Sequence, residues 1–165
     1  TALKSGLTNS GTILAFSTTK RDNLFGKESP ADDDYRLKNW FATTSSSNSL
    51  MSGKLTDSEQ MPLIRLSELY YIAAECEGDG TLATDYLNAV RNNRGLTAEK
   101  LENLTPDLLK NEIFKEYQKE FYGEGQLWYY YKRTLAPTIE ANKNYFTSID
   151  LYTFDRPENE DAYRF

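Results

Sequence analysis

A change of period near Met61 constrains this chain more than any other feature. Before it, apolar residues are scattered. From Met61 to Pro137 they recur every three or four positions, in blocks closed by glycine. That spacing lines apolar side chains along one side of an α-helix, so this half of the chain must form helices that pack on one another. The first block spans 62–77, with Pro62 at the start, where its missing N–H costs no intrahelical bond, and Gly78-Asp79-Gly80 at the end. Leu63, Leu66, Tyr70, Ala73 and Ala74 share a face and Leu69 and Ile72 widen it, which predicts a central, largely buried helix. Cys76, near its end, reads as an inert core residue.

The second block begins near Thr81, carries Leu82, Ala83, Tyr86, Leu87 and Val90, and stops at Gly95 after Arg91 and Arg94. Basic residues in the last turn and glycine just beyond suit the carbonyl end of a helix. The third has Thr105 as cap, Pro106 and Asp107 in its first turn, the ladder Leu109, Ile113, Tyr117, Phe121, and an end or bend at Gly123-Glu124-Gly125. A fourth helical piece spans 126–132, and Pro137 closes the region. The flanks differ. Residues 12–17 and 35–41 read as short strands separated by the loop 28–34, the Ser/Thr run 43–49 as an exposed loop, 149–154 as a strand and 155–165 as an acidic tail. The expected fold is mainly α, one domain, with a loop-rich segment at 1–60, a helical core at 61–136 and a loop, strand and tail at 137–165. Its paired helices with short links are like the unit of helical-repeat proteins, without self-similarity at a fixed period.

Charge removes several functions. The chain of 165 residues carries 25 acids against 19 Lys plus Arg, a formal −6, and lacks the basic footprint that nucleic-acid binding needs. No uncharged run approaches the roughly 18 to 20 apolar residues that cross a bilayer. Histidine is absent, which excludes His-based triads, His metal ligands and a His switch, and one cysteine cannot form an internal disulfide. No metal or cofactor is expected. Twelve Tyr, eight Phe and two Trp are more aromatics than so small a core hides.

Four constellations remain. Glu112, Glu116, Glu120 and Glu124 stack on one side of the third helix, where like charges at this spacing repel unless cations lie opposite. Lys115 and Lys119 partly screen them, and Arg65, Arg91, Arg94 and Arg133 are available from neighbouring helices. Arg65, set in an apolar stretch, is expected to bridge to Glu120. A glycosidase pair is the competing reading, although such carboxylates normally come from different elements flanking a cleft. Trp128 with Tyr129, Tyr130 and Tyr131 offers a stacking surface for sugar rings or, because consecutive helical residues diverge by about 100°, core packing for two or three of the four. Tyr35, Trp40 and Phe41 are freer to meet a ligand, or form a small layer against the helices. Asp32-Asp33-Asp34 lacks the spaced ligands of a calcium loop and reads as a solvated acidic turn.

The helical half resembles a known family. Pro62-Leu63-Ile64-Arg65-Leu66-Ser67-Glu68-Leu69-Tyr70-Tyr71-Ile72-Ala73-Ala74-Glu75, then Tyr86 through Leu96 with Asn88, Val90, Arg91, Arg94 and Gly95, then Glu116-Tyr117-Gln118-Lys119-Glu120-Phe121-Tyr122-Gly123-Glu124-Gly125-Gln126-Leu127-Trp128 with Arg133, are similar in order and spacing to the carboxy-terminal motifs of the SusD/RagB family. The tail Phe154-Asp155-Arg156-Pro157-Glu158 resembles its closing segment. Tyr117-Gln118 and Leu127 stand where that family usually has arginines, and Ser67 where it has alanine. The resemblance implies tetratricopeptide-like helix pairs and a surface-exposed, lipid-anchored protein of the cell outer membrane that binds a glycan or other nutrient for a TonB-dependent transporter, and is not an enzyme. It implies that this chain is the carboxy-terminal portion of a longer protein, the anchor and amino-terminal part lying elsewhere, or else an unusually reduced member of the family. Arg65, Glu68, Arg91, Arg94, Glu116, Glu120, Glu124 and Arg133 carry over as scaffold charges only. Ligand contacts do not carry over, so Tyr35, Trp40, Phe41 and Tyr130 are candidates on exposure and chemistry. A helical protein-interaction module without its own small-molecule site is the alternative.

Overall fold

The computed structural model describes residues 18–26, 34–43, 49–51, 54, 64–98, 100–136 and 152. Among these the fold is mainly α: α1 (Thr18–Phe25), α2 (Tyr35–Trp40), the strands β1 (Phe41–Thr43) and β2 (Ser49–Met51), then α3 (Leu66–Glu77), α4 (Gly80–Asn92), α5 (Pro106–Glu120) and α6 (Gln126–Thr134). The strands form an antiparallel pair with Phe41 opposite Met51, Ala42 opposite Leu50 and Thr43 opposite Ser49. The expected strands at 12–17 and 149–154 lie outside the described residues, apart from Tyr152.

Local chemistry explains where the helices begin and end. Gly78 ends α3 at φ 76°, a backbone region that costs glycine nothing, and its N–H donates to the Ala74 carbonyl. The two-residue link Gly78-Asp79 then returns the chain, so α3 and α4 pack as a pair, with the Tyr70 and Tyr86 rings edge to face at 6.0 Å. Thr105 caps α5: its hydroxyl accepts from the Leu108 N–H at 3.4 Å and its carbonyl from Leu109 at 2.8 Å. The link after α4 is fixed by buried Asn88, whose amide donates to the Leu101 carbonyl (2.9 Å) and accepts from the Leu101 N–H (3.0 Å).

The chain divides into two compact units, 1–120 and 121–165. In the first, α5 packs on α3 and α4, and its core holds Tyr71, Ala74, Ala83, Leu87, Val90, Leu96, Leu109, Ile113 and Tyr117. In the second, Trp128 of α6 lies against Tyr152, with ring centroids 5.5 Å apart, and the Tyr152 hydroxyl donates to the Ala136 carbonyl at 2.6 Å.

Four expectations are corrected. Residues 35–40 are helical rather than extended, because the Asp34 carboxylate caps the segment; only Phe41 onward is strand. Asp34 is buried rather than solvated. Helix α3 is not covered all round: Ser67, Tyr71 and Ala74 are buried, whereas Leu66 is 69% exposed, and Leu69 and Ile72 are also exposed. Cys76 faces solvent, since two residues beyond buried Ala74 is a rotation of about 200°, which carries it off the packed face.

Candidate functional site

Asp34 and Arg36 form the nucleus of the most densely bonded region. At the start of α2 the Asp34 Oδ1 accepts from the Arg36 backbone N–H at 3.0 Å, satisfying a donor that the helix itself cannot pair. The same carboxylate takes the Arg36 guanidinium as a fork, Nε to Oδ1 at 2.9 Å and Nη2 to Oδ2 at 2.8 Å. Arg36 is 1% exposed, and its remaining nitrogen, Nη1, lies 2.8 Å from Glu116 Oε2 and 3.3 Å from Glu120 Oε2. The first of these is an ion contact without hydrogen-bond alignment.

Glu116 and Glu120 are one turn apart on α5, so both carboxylates reach the same side. Around Glu116 stand Arg91 Nη1 and Lys119 Nζ, each 3.2 Å from Oε1. Around Glu120 stand Arg94, bonding through Nη2 (2.7 Å) and Nε (3.0 Å), and the Ser67 hydroxyl, donating at 3.1 Å. Arg65 lies 3.9 Å from Glu120 Oε1 and donates to the Glu120 carbonyl at 3.2 Å. The Lys54 ammonium donates to that carbonyl too. Three buried carboxylates thus meet cations from α2, from the end of α4, from the start of α3 and from α5 itself. Unpaired, each would cost several kcal/mol to bury.

Electrostatics fix the protonation of the two α5 glutamates. Burial alone would push the Glu116 carboxyl up, but Arg36, Lys119 and Arg91 outweigh it and hold the pKa at about 2. Burial raises Glu120 likewise, and the Arg94 bonds, with Arg36 and Ser67, bring it below its ordinary value. Burial and the neighbouring Glu116 push the Tyr71 phenol well up; its hydroxyl has no hydrogen-bond partner among the described residues. Carboxylates held ionised in this way have no proton to donate near neutral pH, whereas a glycosidase acid needs a raised pKa. The cluster is chemically suited to joining elements.

Glu112 pairs with Lys115 at 2.5 Å, and Glu68 is not joined to the cluster among the described residues. Glu124 and Arg133 belong to the 121–165 unit, where the Arg133 guanidinium lies 5.3 Å over the Tyr130 ring. Of the four aromatic candidates, Tyr35 is 52% exposed and Trp40 half-buried, with Lys54 Nζ 4.5 Å from its ring centre. Tyr35 and Trp40 are five helical positions apart, which turns them about 140° from each other. Phe41 is buried, edge-on to Phe25 at 5.8 Å, and is spent on packing instead of being open to a ligand. Tyr130 is half-buried in the other unit; beside it Tyr131 is buried and Tyr129 exposed, as divergence along a helix requires.

Sequence reasoning missed Arg36 and Asp34 as cluster members. The available signal was an Asp two residues before an Arg at a helix start, hidden because 35–41 also alternates. Among the described residues no group of His, Cys, Asp or Glu is arranged to hold a metal, and no helix is long and apolar enough to cross a membrane.

Comparison with known proteins agrees with the motifs. A model of the SusD family matches residues 17–165. No curated protein and no solved structure gives a match. The matched region contains the whole Asp34–Arg36–Glu116–Glu120 cluster and all three sequence motifs, and the chain belongs to the SusD family.

Proposed function

We propose that this protein captures a glycan or comparable nutrient at the cell surface and passes it, uncleaved, to a TonB-dependent transporter. The family match over 17–165 carries this reading, since SusD-family proteins are nutrient-binding, outer-membrane-associated proteins rather than enzymes. Attachment to the membrane surface is through a lipid. Tyr35 and Trp40 are the binding aromatics, because a sugar's C–H face stacks on exposed rings and Tyr35 is the more open of the two. Tyr130 is a further candidate, its ring already under Arg133.

Isothermal titration against a panel of oligosaccharides tests the reading. Heat with at least one glycan, lost in Tyr35→Ala or Trp40→Ala chains that keep their helical signal, supports it; no heat from folded protein counts against it.

One observation favours the alternative of a helical interaction module. Ile64, Leu66, Leu69 and Ile72 on or before α3, with Leu82 on α4, are all large, aliphatic and exposed. Leu66, Leu69 and Ile72 follow at three-residue spacing along α3, and exposed apolar surface on a helix face is a means of contact with another macromolecule. Self-association or apolar-dye binding together with silent glycan titrations would select that reading.

A further inference from the structure

We propose that Arg36 is the positioning residue of the aromatic surface on α2, acting as a charge clasp that holds Tyr35 and Trp40 in place. The inference rests on reading those two rings as ligand-facing. Helix α2 has only six residues, too few to persist on its own hydrogen bonds, so contacts to the rest of the unit must hold it. The residue it buries is Arg36, not an aliphatic side chain.

The attachments of α2 converge on one residue, Glu120. Arg36 itself reaches Glu120 at 3.3 Å and Glu116 at 2.8 Å while Asp34 grips its other edge. The Tyr35 backbone N–H donates to the Arg94 carbonyl at 2.8 Å, and the Arg94 side chain holds Glu120 at 2.7 Å. The Trp40 ring lies under Lys54, whose ammonium donates to the Glu120 carbonyl. Each candidate residue is thus one residue removed from Glu120, Tyr35 through its backbone N–H and Arg94, Trp40 through its ring and Lys54. Arg36 enters between these two routes, from the buried side of the same helix. A lysine at 36 would keep the charge but lose the planar fork that engages Asp34 and Glu116 at once. A methionine would leave three carboxylates short of a cation.

Trp40 reports the clasp without any ligand. In a Trp128→Phe chain it is the remaining tryptophan of two. In that background, Arg36→Lys and Asp34→Asn are expected to keep the helical circular dichroism while acrylamide quenching of Trp40 rises about twofold, as a half-buried ring becomes open through local release of α2. Arg36→Met should exceed Arg36→Lys, the lysine giving partial rescue. For any oligosaccharide that the parent chain binds, the same variants should weaken binding about tenfold through lost preorganisation. A merely structural Arg36 would lower the melting temperature and leave quenching below the transition unchanged, and that result overturns the proposal. Wholesale loss of helix in both Arg36→Lys and Asp34→Asn overturns it too, because Arg36 would then hold the whole unit. If the parent chain binds no oligosaccharide, the ligand reading falls, and the quenching comparison still decides the clasp.

Discussion

Glu116 has no exposed surface and meets Arg36, Arg91 and Lys119, so its charge cannot be removed in isolation. Glu116→Gln leaves those cations buried with less compensation and should cost about 3 to 5 kcal/mol, read from urea unfolding. The pH dependence follows from the same contacts. Its folded pKa of about 2 lies below the ordinary 4.5, so the ionised form is favoured by folding. The stability this supplies is complete above 4.5 and is lost as pH falls from there toward 2. Glu120 adds to the loss in the same direction. Unfolding free energy should therefore drop on acidification through this window, and Glu116→Gln should flatten the drop. A variant with the parent's slope would show that other carboxylates govern acid stability.

At the scale of elements, the joints between helices are the sensitive points. Gly78 closes α3 at positive φ with open space where a Cβ would sit, so alanine there brings backbone strain without a clash. Gly78→Ala should cost about 1 kcal/mol in chemical denaturation, and Gly78→Asn less, since asparagine tolerates this region. Asn88 ties α4 to the following loop through both polar groups of its amide. Asn88→Ala strands the Leu101 N–H and carbonyl and should lose about 1 to 3 kcal/mol. Asn88→Asp, which keeps the acceptor and loses the donor, should fall between; an undiminished Asn88→Ala melt would mean that solvent replaces both bonds. The helical blocks and the Gly78 joint stand at residues that the sequence marks, because caps and turns depend on neighbours within a few positions, whereas Asn88 reaches a partner 13 residues ahead that no local pattern names. Helix α2 escaped notice for the converse reason: its six residues carry too little periodicity to outweigh an equally good alternation.

For the whole molecule, the decisive surface is the aliphatic face of α3. Leu66→Gln with Leu69→Gln should change stability by no more than about 0.5 kcal/mol, since both side chains are already exposed. The same double variant should reduce apolar-dye binding, and any self-association seen by light scattering should fall with it. A large destabilisation would instead place these leucines in the folded core. Sequence by itself determined the mainly α class, the positions of α3 to α6, the excess of acidic charge, the missing histidine chemistry and the motifs of the SusD family. Those properties are carried by spacing and composition, which a linear chain displays. Only the tertiary structure decided which side of α3 is covered, that Phe41 and Asp34 are buried, that Cys76 is not, and that Arg36 answers Glu120 from 84 residues away. Periodicity shows that a helix has an apolar side and that a glutamate needs a cation. It does not name the neighbour, because burial and ion pairing are properties of elements brought together from distant parts of the chain.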